Sequence, residues 1–181
     1  MKKAIVLCLV ANLFLPGCSA PSTGPTVEII DTPEVKVAAT IAFTEGPTVD
    51  AQGNVYFTDA RNDRIMKWST ERQLSTFRQP SNRALGLIFD HQWRLVATEV
   101  SDPQTDQPRL TRTDMETGEI EIIAARFEGK RFHGPNDLSI DSAGRIYFTD
   151  RPSPSPAADQ TGVNAVYRID PDGTVFRILV E

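Results

Sequence analysis

Three stretches of this sequence superimpose when stacked on one aspartate: EGPTVDAQGNVYFTD (45–59), LGLIFDHQWRLVATE (85–99) and NDLSIDSAGRIYFTD (136–150). Each reads as a strand, a four-residue turn and a second strand. In DAQG and DSAG the Asp opens the turn by accepting backbone N–H bonds, and the Gly closes it at positive φ. The middle copy has Trp93 where the others have Gly53 and Gly144, so its turn is expected to differ in detail. The anchors Asp50, Asp90 and Asp141 recur at a spacing of about 45 residues.

A second half follows each copy: RIMKWST (64–70), RLTRTDM (109–115) and AVYRIDP (165–171). Apolar and polar residues alternate there as in strands with one buried face. Further turn-and-strand pairs follow at ETGEIEII and PDGTVFRIL. Four short strands per repeat of this length is the signature of a β-propeller blade, and helical periodicity is absent beyond the N-terminal segment. The expected fold is therefore all-β, with about three four-stranded blades. Glu34 to Phe43 (EVKVAATIAF) reads as an extra strand ahead of the first blade. Three blades do not close a ring, which takes about 4–8, so the sequence reads as part of a larger propeller.

The chain divides into three regions. Residues 1–18 read as a signal peptide, with Lys2 and Lys3 ahead of an apolar run of about 12 residues, too short to span a bilayer comfortably. It ends in Leu15-Pro16-Gly17-Cys18, which resembles a bacterial lipobox with Cys18 as the acylated residue; Pro16 departs from the Ser, Ala or Thr more usual there. An ordinary cleaved leader with an incidental Cys fits the same residues. Residues 19–33 open with SAPSTGPT and read as a flexible tether, and residues 34–181 form the partial propeller. The protein is thus expected to be exported and held at the bacterial cell envelope by a lipid anchor.

Composition narrows the function. The net charge is −5, with 24 acidic against 19 basic residues. Beyond Lys130-Arg131 no basic cluster suits a nucleic-acid backbone. Both cysteines, Cys8 and Cys18, lie in the leader, which excludes a disulfide framework and a Cys-ligated zinc site from the folded part. No G-x-S-x-G elbow, H-E-x-x-H helix or phosphate-binding loop is present.

Counting five residues back from each anchor Asp reaches Glu45, Leu85 and Asn136, at the starting ends of the three innermost strands. In a propeller such positions point toward one axial spot, so Glu45 and Asn136 could offer oxygens to a hard cation such as Ca²⁺. The residues equally fit a plain strand start and a turn at Asn136-Asp137. His133, beside the latter, is a candidate substrate contact or a merely solvated loop histidine. His91 sits in the middle turn, on the far side, and reads as structural. Asp170-Pro171-Asp172-Gly173 lacks the later ligands of a calcium loop and reads as a hairpin turn. The Pro-rich insertion Arg151 to Gly162 lengthens the third blade.

Phe43-Thr44-Glu45-Gly46-Pro47, the run Gly53 to Asp59, Phe127-Glu128-Gly129-Lys130-Arg131 followed by Gly134-Pro135-Asn136-Asp137, and Asn164 to Gly173 together resemble the SMP-30/gluconolactonase/LRE-like family. The likeness runs from about residue 35 to the end. It implies a six-bladed propeller, a divalent cation (Ca²⁺ first) at the channel mouth, and hydrolysis of sugar lactones or related esters. Within that resemblance Glu45 matches a metal ligand and Asn136 a residue lining the metal and substrate site. The family's later Pro-Asn-Gly and Asp-Gly motifs, the second carrying the expected general base, find no match up to Glu181. The chain is therefore expected to be inactive by itself. A non-catalytic surface propeller that binds a ligand or protein is the other reading, since fold alone does not settle function.

Overall fold

A computed structural model describes residues 43–100, 107–151 and 157–180. The leader, Cys18, the tether and most of the expected extra strand at 34–43 lie outside the described residues. Three antiparallel four-stranded sheets follow one another along the chain. The first blade comprises β1 (Thr44–Val49), β2 (Val55–Asp59), β3 (Arg64–Trp68) and β4 (Leu74–Arg78). The second comprises β5 (Ala84–Phe89), β6 (Leu95–Glu99), β7 (Arg109–Thr113) and β8 (Ile120–Ala124). A short hairpin, β9 (Arg126–Phe127) and β10 (Lys130–Arg131), precedes the third blade: β11 (Pro135–Ile140), β12 (Ile146–Asp150), β13 (Ala165–Ile169) and β14 (Val175–Val180). Within each blade the strands pair strictly in sequence order. This is β-propeller architecture, as the repeats predict.

Alternation places the core between blades. Tyr56, Ile65, Ala84, Leu87, Leu95 and Ala97 pack where the first blade meets the second. A larger cluster, with Val96, Leu110, Phe132, Phe148 and Tyr167, fills the space between the second and third. Phe132 meets Phe148 edge-on at 5.0 Å and Tyr167 at 5.1 Å. The β9–β10 hairpin lays Phe127 on Tyr167, 5.3 Å between centroids.

The middle turn corrects the sequence expectation. Trp93 takes φ +61° and Gly53 φ +89°, and the two turns close alike, by Trp93 N–H to Asp90 O at 2.9 Å and Gly53 N–H to Asp50 O at 3.0 Å. The turn is held by Asp90, whose Oδ1 accepts from the N–H groups of Gln92 and Arg94, as Asp50 Oδ1 does from those of Gln52 and Asn54. Those bonds, together with the Trp93–Phe89 contact at 6.1 Å, keep a bulky residue in a conformation that favours glycine.

Candidate functional site

The three innermost strands β1, β5 and β11 lie side by side, and their spacing is set by backbone contact. Gly46, at φ +54°, passes so close to β5 that a Cβ there would fall 2.2 Å from the Leu85 carbonyl oxygen. Gly86 passes β11 similarly, with 2.9 Å between its would-be Cβ and the Asn136 carbonyl oxygen. Two buried threonines stitch the seams. The Thr58 hydroxyl sits 3.1 Å from Glu45 O and 3.0 Å from Leu85 O, and the Thr98 hydroxyl donates to Asn136 O at 2.7 Å while accepting from Gly86 N–H at 2.8 Å. Thr149 holds the matching place in the third blade, accepting from Asp137 N–H at 3.2 Å. The carbonyls so contacted belong to Glu45, Leu85 and Asn136, the three positions singled out from the repeats.

A buried acid ends the second strand of each blade and anchors the entry to the strand inside it. Asp59 Oδ1 accepts from Phe43 N–H at 3.3 Å, two residues before Glu45, while its Oδ2 takes Asn62 at 2.7 Å and Arg64 Nε at 2.9 Å. Asp150 accepts from His133 N–H at 3.1 Å and Gly134 N–H at 2.7 Å, just before Asn136, and from the Thr161 hydroxyl at 3.0 Å. Glu99 instead faces cations: the Arg78 guanidinium, Arg109 Nε at 2.7 Å, and also Asn82 Nδ2 and the Thr111 hydroxyl. These acids escaped the reading of single residues, although each repeat ends on one.

The first and third acids are perturbed in opposite directions. Burial acts to raise Asp59, but hydrogen bonds from Asn62, Arg64 and Phe43 outweigh it and hold the carboxyl below its ordinary range. Burial dominates at Asp150 and pushes it above that range, against the Gly134 N–H and the Thr161 hydroxyl. The lowered Asp59 contributes stability above its unfolded pKa that is lost as pH falls through its folded value. The raised Asp150 does the reverse, since the folded state there binds its proton more tightly and stability declines as pH rises between the unfolded and folded values. Asp150→Asn is therefore expected to steepen the gain of stability with pH across the carboxylate range, and Asp59→Asn to flatten it. Urea midpoints from pH 3 to 7 check both signs.

Glu45 and Asn136 are each half-buried, while Leu85 between them is buried. Among the described residues neither the Glu45 carboxylate nor the Asn136 amide has a polar partner, in contrast to the saturated acids just behind them. Side-chain oxygens of this kind suit a hard cation, yet Ca²⁺ takes 6–8 oxygen ligands. Among the described residues no group of three His, Cys, Asp or Glu side chains converges to complete such a site. His133 is half-buried, and its Nδ1 lies 2.8 Å from Arg151 O. A carbonyl only accepts, so Nδ1 carries the proton and Nε2 is left as the acceptor. His91 lies exposed in the Asp90 turn, at the opposite ends of the strands.

Sheet order and the glycine seams between innermost strands define part of a β-propeller. More narrowly, the chain belongs to the SMP-30/Gluconolactonase/LRE-like family, whose model matches residues 43–181. A gluconolactonase of Zymomonas mobilis subsp. mobilis is 29% identical over 161 residues, 80% of this chain and 44% of that protein. A crystal structure of a gluconolactonase from Xanthomonas campestris, 29% identical, superimposes with a TM-score of 0.68 over 77% of this chain and 48% of its own. Another solved structure, assigned as a gluconolactonase, is 31% identical and gives 0.71 over 81% and 52%. The chain spans about half the length of these relatives.

Proposed function

We propose that this chain forms the part of a sugar-lactone hydrolase that carries Glu45 and Asn136 at its site, in an exported protein anchored through acylated Cys18. The observation that supports the reading is that Glu45 and Asn136, near the starts of β1 and β11, carry side chains without a polar partner among the described residues. A divalent cation, Ca²⁺ first, would be held there by these two side chains together with ligands this chain does not carry, and supplies charge stabilisation for a carbonyl oxygen under attack. Glu45 serves as a ligand rather than as a base, because a coordinating carboxylate is held ionised. The Asn136 amide also offers an N–H to an oxygen of the substrate, and His133 Nε2 accepts from one of its hydroxyls. The base that takes the proton from water is assigned to the Asp of the family's later Asp-Gly motif, expected beyond Glu181 and distinct from the hairpin turn at Asp172-Gly173. The chain alone is accordingly inactive.

Glu45→Gln in the complete protein is expected to lower kcat/KM for δ-gluconolactone about a hundredfold and to abolish calorimetric Ca²⁺ binding. Turnover that survives both chelation and Glu45→Gln refutes the metal site. A non-catalytic binding propeller remains the second reading, favoured by the absence of a third converging acid or histidine among the described residues. Ca²⁺ binding without lactone turnover would select it.

A further inference from the structure

The mouth opposite Glu45 and Asn136 carries a cleft of about 650 Å³ between the turns of the first and second blades. Its floor is aromatic. Tyr56 stands edge-on to Phe89 at 5.3 Å, Phe89 leads on to Trp93 at 6.1 Å, and Trp93 leaves 51% of its surface exposed. Trp93 also occupies the turn position that Gly53, Gly144 and Gly173 fill elsewhere, each at positive φ. Non-glycine residues kept in that conformation gather at ligand clamps and other functional sites.

The cleft opens here because two side chains differ between blades. After the turn glycine or its equivalent come Asn54, Arg94 and Arg145. Arg94 and Arg145 fill the space beside their turn aspartates, with Nε 2.8 Å from Asp90 and 2.6 Å from Asp141. Arg112 adds a second guanidinium at 3.3 Å from Asp90. In the first blade the shorter Asn54 bonds Asp50 at 2.7 Å, and Lys67, opposite Tyr56 on β3, lies over the Tyr56 ring at 5.5 Å. Removing two guanidinium groups from this seam leaves the room that the indole borders.

We propose that this Trp93 cleft binds a neutral pyranose sugar. The C–H face of a pyranose is apolar and slightly electropositive, and it stacks on an electron-rich indole, while hydroxyls pair with planar amides that both donate and accept. Gln52 and Gln92 line the cleft and supply such amides; Gln92 Oε1 already accepts from Arg94 at 3.1 Å, which leaves its NH₂ to donate. The charges nearby are mostly satisfied within the protein: Asp50 by Asn54 and turn N–H groups, Asp114 by the N–H groups of Glu116 and Thr117, Arg94 by Asp90. Lys67 and Glu116 remain, one of each sign, which favours an uncharged ligand. The volume is that of an ordinary small-molecule site, about 300–1,000 Å³. The site is separate from the one bearing Glu45, and its test does not depend on lactone hydrolysis.

The 181 residues contain two tryptophans, so in this chain Trp68→Phe leaves Trp93 as the sole indole reporter. Titration of that variant with methyl β-glucopyranoside is expected to change its emission saturably, with a Kd of about 1–10 mM. In the otherwise unaltered chain, saturation-transfer NMR should show the same binding, and it should weaken at least tenfold in Trp93→Gly, a residue the sister turns already accommodate. Asn54→Arg, which refills the cleft as in the other blades and leaves Trp93 in place, should abolish it too. No saturable response, full binding by Trp93→Gly, or tighter binding of gluconate than of the glucoside would each overturn the proposal.

Discussion

Gly46→Ala is expected to destabilise the protein by at least about 3 kcal/mol, the scale reached when a new atom meets immovable backbone. Two effects combine. The added Cβ would lie 2.2 Å from the Leu85 carbonyl oxygen and 2.8 Å from Gly86 Cα, neither of which is a flexible side-chain end. The residue also sits at φ +54°, which costs an L-residue about 1–2 kcal/mol. Gly173→Ala isolates the second effect. It has φ +85° with nothing within 4 Å of the added carbon, so its cost should stay near 1 kcal/mol. Urea unfolding of the two variants measures the difference. Equal losses would mean that β1 does not press on β5. The consequence reaches the site, because Glu45 precedes Gly46: a strand pushed outward carries its carboxylate away from Asn136. If Ca²⁺ is held at Glu45 as proposed, a Gly46→Ala version of the complete protein that still folds should bind it more weakly, although every side chain at the site is unchanged.

Much of this arrangement is legible in the sequence, for identifiable reasons. Asp50, Asp90 and Asp141 announce their turns because an aspartate bonding to N–H groups two and four residues on is a local event. The second and third strands alternate because one face of each is buried. β4 (Leu74–Arg78) escapes detection: Leu74, Ser75 and Thr76 are all exposed, so its pattern carries no burial signal. The β9–β10 hairpin has two residues per strand, too few for any period to show. At Trp93 local preference misleads, since a tryptophan argues against positive φ and the turn's other bonds override it. That Glu45 and Asn136 lie near the starts of two innermost strands could be read by counting from the anchors. What could not be read is the environment of the acids that end each repeat. Asp59, Glu99 and Asp150 are equivalent in the alignment, and their partners arrive from positions that the repeats do not align.

That difference gives the buried acids unequal responses to the same chemical change. Glu99→Gln is expected to cost about 3–5 kcal/mol, the usual penalty for breaking a buried ion pair from one side. The amide keeps the shape of the carboxylate but removes its charge. Arg78, with a side chain only 10% exposed, and Arg109, at 24%, would then share no anion, and one amide N–H would point at a cation. Asp150→Asn should cost far less at neutral pH. Among the described residues no Lys or Arg pairs with Asp150, and its burial already disfavours the charge that the substitution removes. Guanidinium unfolding at pH 7 separates the cases, and a loss at Glu99 no larger than at Asp150 would refute the assignment of the Arg78–Glu99–Arg109 group as a coupled unit. Replacing all three of its members by apolar residues of matching volume should recover most of the loss, because desolvating the three charges offsets much of their attraction. The ion group therefore fixes which strands meet: Arg78 ends the first blade, Glu99 and Arg109 belong to the second, and their pairing ties the outer strand of one blade to the two middle strands of the next.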